Sequence, residues 1–274
     1  METESEGWDI FPLITQYREG VDEELLDRLT VWRPNFACIQ VHEVIGALLA
    51  RQATLAKEIA GAPSLWNGHS APILLRAMAD VHINIAWLLL EPESRCLKFI
   101  SYGLGQAKLE LEHRRSEIGD REMSAAEQTL LDAQESWIDS QRASFLQDVD
   151  LGKWAGSTVR QMAEEAGCLD FYNYVYTPFS ACAHSMWHHV AVYNLSTCGN
   201  PLHRHHRRPI SEDAESDLHS LILAAKYWSK TLRTFDKAMG IDSSKPSTFD
   251  ALMAAVSAEA EPPSDEGQPS GDLP

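Results

Sequence analysis

The chain has 274 residues, 44% of them hydrophobic, and a formal net charge of −17. That is enough for one large domain or two small ones, with a sizeable core. The acidity speaks against broad binding to nucleic acid or an anionic membrane, and five scattered cysteines, never in a C-x-x-C pair, speak against a disulfide framework or a Cys zinc site.

Residues 1–6 lack the basic and apolar regions of a signal peptide, and the longest apolar run, Ile83 to Leu90, is too short to span a bilayer. The expected location is the cytoplasm, with no membrane partner. Residues 1–20 mix Gly, Pro, charge and aromatics and read as an irregular lead-in. Asp22–Leu29 forms a short amphipathic helix. Pro34 fits the first turn of a long helix running to about Ala60, which Gly61 and Pro63 stop. Ser70 is the predicted N-cap of a helix over Ile73–Leu90, apolar nearly all round and therefore central. Glu91-Pro92 ends it and opens another helix to about Ile118. Ser124 and Glu127 form a capping box for a helix to Phe145.

A linker over 151–156 leads to Ser157, the predicted cap of a helix over Thr158–Ala166 that Gly167 closes. The aromatic segment 171–195 follows, with Pro178 kinking or restarting its helix. Cys198 to Pro209 reads as a loop. Ser211 opens a last long helix ended by Gly240, with Lys226, Lys230, Arg233 and Lys237 placed as the helix dipole favours. Ser247–Ala258 is one more short helix. No strand alternation stands out. The expected architecture is all-α: one bundle of seven to nine helices over 21–245, then a short helix and a disordered acidic tail over 246–274, whose residues from Ser257 on hold five acids and no base.

The most distinctive stretch is the aromatic one. Tyr172, Tyr176, Ser180, His184 and His188 recur every fourth residue, about 400° per step on a helix, so Tyr176, Ser180 and His184 share a face. Arg76 and Asp80 lie at i, i+4 on the apolar helix. If both helices are central, these groups meet. Arg76 would then hold an oxyanion or phosphate, Asp80 would orient it, and His184 would exchange protons, with Tyr176, Ser180 and His188 lining the pocket. The bland alternative is a polar network that fixes helix register.

The segment 154–167, the Tyr172/Tyr176/Ser180/His184 row and the run from Leu75 to Asp80 resemble an uncharacterised, mainly bacterial helical family, the domain of unknown function 5677. That resemblance spans about 35–195 and implies that Arg76, Asp80, Ser180 and His184 belong together. It implies no activity. More distantly, the implied fold is similar to the HEPN-type helical bundles, many of which are metal-independent ribonucleases with an Arg-x4-6-His motif and which usually dimerise. Arg76 and His82 have that spacing, but Ala77 replaces the usual polar neighbour, and positions six apart point about 120° away from each other.

His184 and His188 also have a metal-ligand spacing, and Glu110-x-x-His113 is half of a di-iron pattern without a second half, so no metal and no cofactor is expected. His203, Arg204, His205, His206, Arg207 and Arg208 form the one strongly basic cluster, suited to a phosphate backbone or an anionic partner. Two functional expectations follow. One is a phosphate- or RNA-binding pocket, with metal-independent cleavage by Arg76, Asp80 and His184. The other is a non-enzymatic interaction protein of a bacterial multi-component system, binding a protein partner through 203–208 and acting as a homodimer or in a complex. A metal-dependent bundle enzyme is the weakest alternative.

Overall fold

The computed structural model describes residues 9–145, 156–211, 215–242 and 245–260. The helices are α1 (Phe11–Val31), α2 (Ile39–Gly61), α3 (Ala71–Leu88), α4 (Pro92–Ile118), α5 (Ala125–Phe145), α6 (Val159–Glu165) and α7 (Leu169–Phe171). A π turn over Tyr172–Tyr176 leads into α8 (Thr177–Ala183), followed by α9 (Trp187–Tyr193), α10 (His219–Met239) and α11 (Thr248–Ala260). Between α9 and α10 lies a two-stranded antiparallel ribbon, β1 (Leu195–Thr197) with β2 (Arg207–Pro209). The fold is all-α, as expected. Its helices slightly outnumber seven to nine, because short pieces replace one long aromatic helix.

The apolar helix is central. Leu75, Met78, Ala79, Ile83, Ile85 and Leu88 of α3 are buried, and α3 packs against α2, α10, α6 and α8. Three side chains tie it to its neighbours. Thr231 Oγ1 on α10 donates to the Tyr227 carbonyl at 2.8 Å, accepts from Gln52 Nε2 on α2 at 3.0 Å and lies 3.1 Å from His82 Nδ1 on α3. One hydroxyl thereby uses its donor and both acceptor positions. A second tie is the bidentate, largely buried pair of Arg28 on α1 with Asp236 on α10, at 3.2 and 2.8 Å.

Four expectations need correction. The lead-in is helical from Phe11, with Pro12 in the first turn and Leu13, Ile14, Tyr17 and Val21 buried. Gly20, inside this helix, is a contact point: a Cβ there would sit 2.9 Å from Thr248 Oγ1 of α11. That contact, with Leu252 in the main core, makes α11 part of the bundle instead of part of a tail. The last long helix starts at His219, not Ser211; the Asp217 carboxylate accepts from the His219 amide at 2.8 Å while the Asp217 amide donates to the Trp66 carbonyl at 2.6 Å. The predicted loop carries the ribbon, too short to show alternation.

Elsewhere the caps agree closely. Ser124 and Glu127 form the expected box. Thr158, one residue after Ser157, forms another with Gln161. Asn67, not Ser70, accepts the amides that lead into α3, those of His69 and Ser70, both at 3.0 Å. Gly167 and Gly240 close their helices at positive φ. The acidic residues 261–274 and the linker residues 151–155 lie outside the described residues.

The long helix α4 has two halves. Cys96 near its start is in the main core, while Leu111 joins Leu131 and Ile138 of α5 in a small separate cluster. At 1.5 Å per residue its 27 residues extend about 40 Å, so its far end carries α5 as a hairpin arm.

Candidate functional site

The aromatic segment meets the apolar helix. Arg76 of α3 donates from Nε to Ser180 Oγ at 2.7 Å and from Nη1 to Asp80 Oδ2, and its guanidinium carbon stands 3.2 Å from the centroid of the Tyr176 ring. Ser180 Oγ donates in turn to the Tyr176 carbonyl at 2.7 Å. Tyr172 stacks on Tyr176 at 4.8 Å between centroids. Two of the three guanidinium nitrogens are thus engaged in hydrogen bonds, and the guanidinium lies over the Tyr176 ring. Desolvation pushes the Asp80 carboxyl up from its ordinary value more strongly than Arg76 draws it down. Burial likewise raises the Tyr176 phenol.

The π turn is what aligns this face. Pro178 has no amide to donate and crowds the turn before it. The register slips there by one residue, with the Thr177 amide donating to the Tyr172 carbonyl five residues back. Regular α-helix resumes with Pro178 in its first turn.

His184 and His188 do not follow the row. The Ser185 amide donates to the Cys182 carbonyl at 3.1 Å and the Met186 amide to Ala181 at 2.9 Å, with Ser185 at φ 48°. This is a Schellman closure with serine where glycine usually stands. It ends α8 at Ala183, leaves His184 exposed on the last turn, and puts His188 on the separate helix α9. No hydrogen bond, ion pair or ring contact among the described residues joins either imidazole to Arg76. The His184/His188 pair therefore shares no helix face, and His188 is exposed instead of lining a pocket. His189, which sequence reasoning passed over, packs against His69 and Tyr193 at 5.8 and 4.7 Å. Partial burial first, then His69 and His188, lower its pKa.

The Arg76 construction recurs. Arg95 lies over the Trp87 ring at 3.8 Å, donates to the Trp87 carbonyl at 2.8 Å and pairs with Glu165 at 3.3 Å. The Trp87 indole also donates to Glu165, at 2.7 Å. An arginine between an aromatic face and a carboxylate is thus a repeated way of joining helices in this bundle. His82, the formal partner of Arg76 in an Arg-x5-His motif, points elsewhere: it is 1% exposed, against Thr231 and Phe171. Burial, then Lys230, depresses its pKa to about 3, against the opposing pull of Asp170.

A different site lies along α10. Lys226, Lys230, Arg233 and Lys237 are spaced 4, 3 and 4 residues apart, within about 60° of one another around the helix. They line a cleft of about 550 Å³ with His82, Cys168, Ser229 and Thr234, and no carboxylate lines it. None of the four has an ion pair within 4 Å among the described residues. The one acid at helical spacing, Asp236, is taken by Arg28. Ser229 Oγ, buried on this helix, has no hydrogen-bond partner among the described residues. The Cys168 thiol is buried and pushed up, mainly by desolvation. Dipole reasoning placed the cations correctly but missed their stripe; the lack of an acid three or four residues away, save Asp236, was the available signal.

The basic cluster 203–208 is exposed at the tip and second strand of the ribbon, where Arg207 pairs with Thr197 and Arg208 with Ser196. Among the described residues, no helix is long and apolar enough to cross a membrane. No curated protein and no solved structure matches the chain. Residues 42–200, more than half of the chain and the part that carries Arg76, Asp80, Tyr176, Ser180 and His184, match the family of unknown function (DUF5677), and the chain belongs to that family.

Proposed function

We propose that the protein binds a phosphate-bearing ligand, such as a short single-stranded RNA, in the cleft along α10, and that it does so without cleaving it. The observation that carries this reading is the row of four cations with no lining carboxylate, on a chain of net charge −17. Four cations on one helix face, with no carboxylate within ion-pair distance among the described residues, concentrate a local positive potential that suits an anion even on an acidic chain. The row is about 16 Å long, more than one phosphate needs. The buried hydroxyl of Ser229, unpartnered among the described residues, offers a neutral donor in the same wall. Cleavage by Arg76 and His184 has weaker support, because Arg76 is held by Ser180 and Asp80 while His184 lies apart on the exposed end of α8.

The test is fluorescence anisotropy with a labelled short RNA in EDTA, across a salt series. Four phosphate contacts predict a slope of log K against log[salt] near −3, and Lys230→Glu with Arg233→Glu should bring it to about −1.5 or abolish binding. Arg204→Glu on the ribbon should leave affinity unchanged. Arg76→Ala should lower the melting temperature and leave the folded protein's affinity intact, and the RNA should stay whole. Equal binding by the α10 variant would overturn the cleft reading. Cleavage lost in His184→Ala would restore the nuclease reading.

A further inference from the structure

The ribbon tip holds a second group of residues, unrelated to the α10 cleft. Cys198 leaves β1, and the chain returns through His203 and His206 before β2. Sequence spacing gives no zinc signature, since only one cysteine takes part. The fold brings the three together nonetheless. Cys198 Sγ lies 3.8 Å from His203 Nδ1, and the His203 and His206 ring centroids are 5.6 Å apart. One ligand atom from each of the three residues lies within 4.8 Å of the others.

We infer that Cys198, His203 and His206 form a zinc-binding site that staples the ribbon tip. Tetrahedral zinc, with Zn–S near 2.3 Å and Zn–N near 2.0–2.1 Å, has an S–N edge of about 3.6 Å and an N–N edge of about 3.4 Å. The observed 3.8 Å is close to that edge, so small side-chain rotations complete the triangle. A thiolate with two imidazoles is also the donor set that zinc prefers over the hard cations.

The backbone prepares the arrangement. The Cys198 amide donates to the His206 carbonyl at 3.0 Å, extending the ribbon by one pair. The His203 amide donates to Asn200 at 2.9 Å and the His206 amide to His203 at 3.0 Å, folding the intervening residues into tight turns. The Asn200 side chain stands 3.4 Å from His203 Nε2, on the edge of the ring opposite the nitrogen that faces the thiol. Three protein ligands leave a fourth position open. Arg204, Arg207 and Arg208 are neighbours in sequence, and the open position suits water or an anion.

The experiment uses the full chain without a polyhistidine tag, stripped with EDTA and titrated with Co²⁺, then Zn²⁺. The expected result is one ion per chain, a tetrahedral cobalt spectrum with a thiolate charge-transfer band, and displacement by Zn²⁺ but not by Mg²⁺ or Ca²⁺. Cys198→Ser should erase the charge-transfer band. His203→Ala and His206→Ala should each weaken binding at least about tenfold. His184→Ala should change nothing. The three proposed ligands lie outside the buried core, so the metal-free variants should melt with the metal-free wild type. Cobalt bound equally by wild type and Cys198→Ser, or a weak octahedral spectrum in both, would mean an adventitious ion only and would overturn the site.

Discussion

At the scale of single residues, the hydroxyl of Thr231 links three helices, because it answers α2, α3 and its own helix at once. His82 must stay neutral there. Its folded pKa, about 3, is below the unfolded value near 6.5, so the unfolded chain takes up the proton first and stability falls as pH drops from about 6.5 toward 3. Between pH 6 and pH 4 wild type should lose about 2–3 kcal/mol more than His82→Gln, measured by urea unfolding at each pH. Parallel curves for the two proteins would mean that His82 does not titrate with folding. The sequence displayed the meeting of Arg76, Asp80, Tyr176 and Ser180, because period-four polar residues on apolar helices must find partners. It could not display the direction of His82, since an imidazole looks alike whether it meets threonine or solvent. Nor could it tell a catalytic arginine from one that joins helices; the parallel with Arg95, Trp87 and Glu165 becomes visible only in three dimensions.

Among the elements, the ends proved harder to read than the middles. Helices marked by glycine or by a capping box stop and start where expected, as at Gly167, Gly240 and Ser124. The end of α8 uses serine in the left-handed region, and no residue there announces a break. That one turn separates His184 from His188 and removes the metal-ligand spacing that the row suggested. Ser185→Gly relieves the strain at φ 48° and should stabilise the protein by about 0.5–1 kcal/mol in chemical denaturation, while Ser185→Val should destabilise it. A neutral or negative effect of glycine would indicate that the turn is held by contacts outweighing its backbone preference. Gly20 teaches the opposite lesson: this glycine inside a helix sits at a neighbour's close approach, and that neighbour, α11, lies more than two hundred residues away in the chain, whereas a Cβ at Gly103 inside α4 would meet nothing within 4 Å.

For the whole molecule, composition and periodicity suffice to identify an all-helical bundle with α3 at its centre, but not its outer limits. The bundle begins at α1 and closes with α11, which Glu24 joins by accepting the Thr248 amide at 3.1 Å and the Trp228 indole at 2.7 Å. Leu252→Ala should therefore cost about 2–4 kcal/mol and lower the melting temperature by roughly 5–10 °C. An unchanged melting temperature would make α11 an appendage after all. The hairpin of α4 and α5 is built on another plan. Leu111, Leu131 and Ile138 form its own small cluster, apart from the main core. Adding or removing whole turns from its outer half changes only how far it reaches, because no residue of the central bundle has to repack. The arm is therefore where relatives of this chain can gain or lose length at least cost to folding, much as a jib can be extended without rebuilding the crane.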